Sequence, residues 1–340
     1  MLLIAEVDSR IGGLRRGPQL RATYPPPGVK YYAPAGPSKI YVSPPSYEKL
    51  PPFEAFKSIL RQMARLVRPP VGRGFDIVHK FFFDLTRVDA PCIYESDQSI
   101  GQYLSGYLNV KTPASLQSAL ASLVAGNCDA VVTWSSWAAK GFVEDGFNPS
   151  RVYVIPPPVV PRTRRPHKGV NVLMVARDPV RKGVDIAIRA FKRAVRGSSD
   201  VKLIVVGPVN PLHDGGRVIV YSHVSEGLLR DYLMSSADII LAPSRAEAYN
   251  LTVLEGMAHG AVPIVSRVGG LPELVGDSGL IVSPDDYDST ADALEALIYD
   301  EALRARLSER ALDLVSRRHN PEVVGEAMLK VYARVLEGRS

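Results

Sequence analysis

From residue 75 onward, short unbroken apolar runs alternate with stretches in which apolar residues recur every three or four positions. Asp76–His79, Pro91–Tyr94, Ala130–Thr133 and Val152–Ile155 form one series of runs. Val172–Val175, Val201–Val206, Val218–Tyr221, Asp238–Leu241, Val262–Val265 and Gly279–Val282 form a second. Strands apolar along their whole length are buried on both faces, and the helical stretches between them serve as crossovers. The pattern therefore predicts two α/β domains, each with a parallel sheet. The join is Ile155-Pro-Pro-Pro-Val-Val-Pro161, followed by Arg162-Thr-Arg-Arg-Pro-His167. It sets the expected boundaries: a first domain over 1–160, a linker over 161–169 and a second domain over 170–320. Residues 300–317 and 321–337 read as helices. Asn320-Pro321 supplies a cap and a first helical residue for the latter, and 321–340 is expected to pack back towards the first domain.

Two segments depart from this pattern. Residues 24–52 hold nine prolines and five tyrosines, a density that opposes regular helix or central strand, so an irregular excursion is expected. Residues 53–68 show helical amphipathicity, with Phe53, Phe56, Ile59, Leu60, Met63 and Val67 on one face and Lys57, Arg61, Arg65 and Arg68 on the other. Charge sharpens the point. The chain carries 41 Lys+Arg and 35 Asp+Glu, net +6. Residues 1–75 alone hold 12 basic and four acidic side chains, a surplus of +8, so the remainder is slightly acidic. An anionic partner is expected on the basic side, and a membrane surface is the candidate for residues 53–68.

With 46% hydrophobic and 22% charged residues in 340, the chain is an ordinary globular composition rather than a disordered one. No apolar stretch approaches the roughly 18 residues of a membrane span, and Met1–Ala5 is too short an apolar run for a secretory leader. A cytoplasmic protein, peripheral at the inner face of the membrane, is the expectation. Two cysteines, Cys92 and Cys128, make neither a disulfide framework nor a zinc site and read as buried small hydrophobes.

The phosphate loop, the dinucleotide glycine fingerprint, the His-Glu-x-x-His helix and the hydrolase elbow are all absent. The informative stretch is Ala242-Pro-Ser-Arg-Ala-Glu247-Ala-Tyr-Asn-Leu-Thr-Val-Leu-Glu255-Gly-Met-Ala-His-Gly260. It leaves the carboxyl end of a strand and runs into a helix, the place where open parallel sheets bind ligands. The amides of Tyr249, Asn250 and Leu251 open that helix as a cradle for phosphate. Glu247 and Glu255 then flank a diphosphate and can accept from sugar hydroxyls.

This stretch, continued by Ala261-Val-Pro263 and Val268-Gly-Gly-Leu-Pro-Glu273, resembles the Glu-x7-Glu signature of GT-B-fold retaining glycosyltransferases, specifically glycosyltransferase family 4. Val175-Ala-Arg177-Asp-Pro-Val-Arg-Lys182-Gly183 resembles the segment in which that family places an Arg and a Lys five apart on the donor diphosphate. Arg177 and Lys182 fit, and Arg181 is assigned to the surface. Asp97 falls where members often place a His near the donor sugar, and Gly12-Gly13 resembles the family's glycine loop at the donor phosphate. Its Gly-Phe-Gly is Ala248-Tyr249-Asn250 here.

The resemblance implies two Rossmann-like domains facing across a cleft, the first on the acceptor side and the second binding a nucleotide-sugar donor. It implies an enzyme, a hexosyltransferase retaining configuration, with Glu247, Arg177, Lys182 and Asp97 in catalysis and Glu255, Gly13 and residues 248–251 on the donor. It implies no metal or other cofactor, so Asp286-Tyr-Asp288 reads as a helix cap. The implied partners are the donor and an acceptor hydroxyl on a glycan, lipid-linked or small molecule, with no nucleic acid. The competing readings are a nucleotide-sugar 2-epimerase and an inactive nucleotide-sugar-binding protein. His79, at a strand end, reads as packing.

Overall fold

The computed structural model describes residues 2–8 (as backbone), 16–32, 74–82, 87–125, 128–195, 200–210 and 216–338. The chain divides into two units, one made of residues up to Pro158 together with Asn320 onward, the other of Val159–His319. Each is built on a six-stranded sheet in which every described pairing is parallel.

In the first unit the strands are β1 (Leu2–Asp8), β2 (Val29–Tyr32), β3 (Ile77–Phe81), β4 (Cys92–Glu95), β5 (Ala130–Thr133) and β6 (Val152–Val154). Their order is β2-β1-β3-β4-β5-β6. β3, β4 and β5 are buried at every residue, as their unbroken apolar runs require, whereas edge strand β6 is half-exposed. Helix α1 (Arg16–Thr23) follows β1; α2 (Ala114–Ala125) and α3 (Ser136–Glu144) flank β5. Tyr94 and Val131 pack with Val124, Ala125 and Phe142. Ile77, Ile93 and Val132 pack with Val324, Met328, Val331, Tyr332 and Val335.

The second unit has β7 (Val170–Val175), β8 (Val201–Val206), β9 (Val218–Tyr221), β10 (Ile239–Ala242), β11 (Val262–Ser266) and β12 (Leu280–Val282), ordered β12-β11-β10-β7-β8-β9. From β7 the chain builds outward through β8 to β9, then returns to β10 and builds the other way. That reversal leaves a crevice at the carboxyl ends of β7 and β10. The helices are α4 (Pro179–Lys182), α5 (Val184–Ala194), α6 (Leu251–Ala258), α7 (Leu271–Val275), α8 (Tyr287–Tyr299) and α9 (Glu301–Arg318), and α10 (Pro321–Glu337) returns to the first unit. Val172, Met174, Leu203, Val205, Ile239 and Leu241 share a core with Phe191 of α5 and Leu294 of α8.

Three expectations are corrected. Residues 24–52 are not irregular throughout, because Val29–Tyr32 is an edge strand: Gly28, at φ 77°, turns the chain after the prolines, and Val29 N donates to Pro26 O at 3.0 Å. An edge position tolerates the adjoining prolines. Cys92 and Cys128 are not separate apolar side chains but form a disulfide. Two reciprocal bonds, Asp129 N to Cys92 O and Cys92 N to the Asp129 carboxylate Oδ2, both 2.8 Å, draw their two segments together. Residues 161–169, read as a linker, are fixed along the second unit by Arg162 N to Ala258 O (2.7 Å), Arg165 N to Ser235 O (2.8 Å) and an Arg164–Asp238 ion pair (2.6 Å). Residues 53–68 and the greater part of 24–52 lie outside the described residues.

Candidate functional site

The loop after β7 and the loop after β10 meet at the crevice of the second sheet. Asp178 caps α4 by accepting from Arg181 N at 3.2 Å, Pro179 opens it, and Gly183 ends it at φ 71°. A side chain at Gly183 would strike the carbonyl of Pro243, which a Cβ would approach to 2.2 Å. Glycine is thus required both by conformation and by the close approach of the two loops. The short helix presents Lys182 and Arg181 to the facing loop. Lys182 Nζ donates to Glu247 Oε2, while Arg181 Nη1 donates to Ala246 O at 2.8 Å and stands 3.5 Å from Glu247 Oε2. Glu247 is 7% exposed, and the two cationic side chains are 13% exposed. Burial pulls the Lys182 ammonium below the usual lysine range, the Glu247 charge opposes that, and Arg181 adds to it.

Behind Glu247 the Val268-Gly-Gly segment supports the loop. Gly270 N donates to Ala248 O at 2.7 Å, and a Cβ at Gly269 (φ 56°) would lie 1.7 Å from Glu247 O. Asn250 takes the left-handed conformation (φ 70°) and caps α6 by accepting from Val253 N at 3.3 Å. A capping Asn tolerates this conformation better than most residues. The capped helix directs its first-turn amides to the crevice side, where anions are favoured.

Lys182 and Glu247 are therefore brought into direct contact, with Ala248–Leu251 continuing from Glu247 into α6. Glu255 is half-buried one turn into the helix. The side chains of Ala248 and Tyr249 are fully buried, and the Tyr249 hydroxyl faces His319 Nε2 at 3.5 Å, so these two pack the loop. Arg177 is exposed, in the connection from β7 to α4. Arg181, assigned from sequence to the surface, is instead the second cation on Glu247. The reason is the brevity of α4, which turns consecutive residues 181 and 182 towards the same loop just before the Gly183 reversal. Asp97 is buried in the first unit, in the turn after β4, and Gly13 lies outside the described residues. Asp286 accepts from Asp288 N and Ser289 N, both at 3.0 Å, as a cap of α8. Among the described residues no group of three or more His, Cys, Asp or Glu side chains gathers to hold a metal ion.

The first unit holds a second charged cluster that its sequence does not announce. Glu95, at the end of β4, is fully buried and accepts from Arg21 Nε (3.1 and 3.2 Å) and from Trp134 Nε1 (2.6 Å). Arg21 also donates to Pro156 O (3.0 Å) and Ile155 O (2.8 Å). His79 Nε2 lies 3.0 Å from Glu95 Oε2, its Nδ1 lies 3.3 Å from the Tyr332 hydroxyl, and that hydroxyl lies 2.6 Å from Tyr31 OH. Burial acts to raise the Glu95 carboxyl, but the Arg21 charge and the contacts with His79 outweigh it and bring the pKa down to about 2. Burial lowers His79 against the pull of Glu95. His79 is thus part of a buried ionic network, not only an apolar packing residue.

The similarity to a known family falls within the second unit. Residues 169–300 match the family described as Glycosyl transferases group 1. D-inositol 3-phosphate glycosyltransferase from Xylanimonas cellulosilytica is 29% identical over 247 residues, 62% of this chain and 58% of that protein. The chain spans about half the length of the curated relatives it matches. Sucrose-phosphate synthase from Thermosynechococcus elongatus shares the fold with a TM-score of 0.69 at 20% identity, covering 99% of this chain and 100% of that one. HepE from Anabaena, solved in complex with UDP and glucose, does so with a TM-score of 0.68 at 15% identity, covering 98% of this chain and 100% of that one. The resemblance to GT-B-fold glycosyltransferases is thus shared by sequence and by fold.

Proposed function

We propose that this chain, whose residues 169–300 form a Glycosyl transferases group 1 segment, moves a hexose from a nucleotide-diphosphate sugar to an acceptor hydroxyl with retention of configuration. The observation that carries the reading is the Lys182–Glu247 pair, with Arg181 beside it, at the head of α6 inside the matched segment. Two cations and a carboxylate at that point suit a substrate that is a diphosphate at one end and a polyol at the other. The HepE complex with UDP and glucose supports a donor of this chemical class.

In this mechanism the diphosphate lies at the α6 amides, where the helix dipole favours negative charge. Phosphate oxygen replaces Glu247 on Lys182. Lys182 and Arg181, with exposed Arg177 reaching the same group, stabilise the nucleoside diphosphate as it leaves. Glu247, released from Lys182, accepts from the sugar hydroxyls and fixes the anomeric carbon; Glu255 accepts from the ribose. The bond from anomeric carbon to phosphate oxygen breaks, and the bond to the acceptor oxygen forms on the same face. The departing phosphate oxygen takes the acceptor proton, so no side-chain nucleophile and no metal take part. Asp97 is proposed as a polar contact to the sugar. The basic segment 53–68 is proposed to rest on an anionic membrane; among the described residues no helix is long and apolar enough to cross one.

The test is incubation of the full chain with UDP-, GDP- and ADP-hexoses, scored for released nucleoside diphosphate with and without hydroxyl acceptors. Acceptor-stimulated release from one donor is expected. Failure of the full chain to bind any of the three nucleoside diphosphates overturns the reading.

A further inference from the structure

Arg245 stands two residues before Glu247, and its guanidinium joins three loops of the second sheet. Nη1 donates to Val180 O at 2.6 Å and to Asp185 Oδ1 at 2.9 Å, and Nη2 donates to Asp185 Oδ2 at 2.7 Å. Nε donates to Asp285 Oδ1 at 2.6 Å, in the loop after β12, where Asp285 itself holds φ 58°. The backbone joins in as well, through Arg245 N to Arg181 O at 2.8 Å. Val180 and Asp185 lie on either side of Lys182-Gly183, so one planar side chain staples both ends of the turn that carries Lys182. Arg181 returns the contact by donating to Ala246 O. The loops bearing Lys182 and Glu247 are thus zipped together from both sides, with Arg245 as the outermost tie.

We infer that Arg245 is a positioning residue for the donor site: it fixes Lys182 against Glu247 without touching the substrate. The inference rests on the transferase reading above. An isolated exposed ion pair contributes little, but this one is bidentate, charge-assisted and shared among three segments, the arrangement in which an Arg holds geometry and a Lys does not. Asp185 is held below the usual carboxylate range, first by the Arg245 hydrogen bond. Arg245 is 30% exposed and its two carboxylate partners are 65% and 62% exposed, so substitutions here leave the core of the unit intact.

Simple charge attraction and positioning make opposite predictions for the partner. Removing the Asp185 carboxylate raises the positive charge near an anionic ligand, which on attraction alone tightens binding. On positioning it loosens the Lys182 turn and weakens binding. The experiment is calorimetric titration of the full chain and of the Arg245→Met, Arg245→Lys and Asp185→Asn variants with whichever of UDP, GDP or ADP the unmodified chain binds, beside thermal unfolding of each. Arg245→Met is expected to weaken binding roughly tenfold, since small misplacements of binding groups carry large penalties. Arg245→Lys is expected to recover less than half of that loss, and Asp185→Asn to weaken binding about threefold, with unfolding midpoints close to the parent's. Binding unchanged in Arg245→Met, or unchanged or tighter in Asp185→Asn, overturns the inference while leaving the transferase reading in place. Absence of nucleotide binding by the unmodified chain removes that reading and the inference with it.

Discussion

The two units each gather Arg, a carboxylate and a further titratable group, yet the two clusters are placed differently. Arg21–Glu95–His79 sits inside the first sheet, with Arg21 2% and Glu95 0% exposed and with Trp134, Tyr332 and two backbone carbonyls sharing the remaining polar contacts. Arg181–Lys182–Glu247 sits at the carboxyl edge of the second sheet, on loops, beside a helix start. A sealed network of this kind spends its electrostatics on holding one conformation, and breaking one partner strands a buried charge. At the carboxyl ends of β7 and β10 the same chemistry faces a crevice, and under the proposed function it exchanges its internal partner for a ligand. Degree of burial, not residue type, separates the structural cluster from the one proposed to bind the donor.

The largest test of this difference is Glu95→Ala. It leaves the Arg21 charge buried, and a loss of about 3–5 kcal/mol in unfolding free energy is expected by urea titration. Acid gives the same network a signature. Because the Glu95 carboxyl is depressed to about 2 from an ordinary 4.5, its contribution is fully present above about pH 4.5 and is lost as pH falls through about 2. His79, held neutral by burial, also loses stability as pH falls below its unfolded value. Urea midpoints followed from pH 7 to 3 are therefore expected to fall more steeply for the parent chain than for Glu95→Gln; equal slopes would remove the network from the account.

Next in size, Lys182→Met and Glu247→Ala are expected to lower kcat by roughly 10²–10³-fold while shifting unfolding far less than Glu95→Ala. A loss of stability matching that of Glu95→Ala, with turnover retained, would make both clusters structural. On the proposed ribose contact, Glu255→Ala loses charged hydrogen bonds worth roughly 1.5–3 kcal/mol and is expected to weaken nucleotide binding about tenfold or more by calorimetry. The smallest effect is expected from EDTA, which leaves turnover unchanged; loss of activity restored by Mn²⁺ would bring a metal into the edge site.

The contrast also governs what could be read from sequence. Strands such as Val201–Val206 and Val218–Tyr221 announce themselves because burial on both faces imposes an unbroken apolar run. Glu247 and Glu255 could be singled out as candidates because both lie on one local segment with its flanks. Arg181 was misplaced because residue spacing does not report where a four-residue helix turns its side chains. β2 was hidden by the prolines preceding it. Glu95 was silent because its partners Arg21, His79 and Trp134 lie 74, 16 and 39 positions away, and only the sheet brings them together.

The return of α10 to the first sheet has a consequence for biosynthesis. Val159–His319 is one continuous stretch, so the second unit has all its residues once His319 has left the ribosome. The first unit does not. Its core lacks Val324, Met328, Val331 and Tyr332 until the stretch that follows the whole second unit is translated. The unit whose synthesis starts first is thus completed last, and its nascent sheet waits with an uncovered apolar face while an entire second unit is made, the interval in which chaperones matter most.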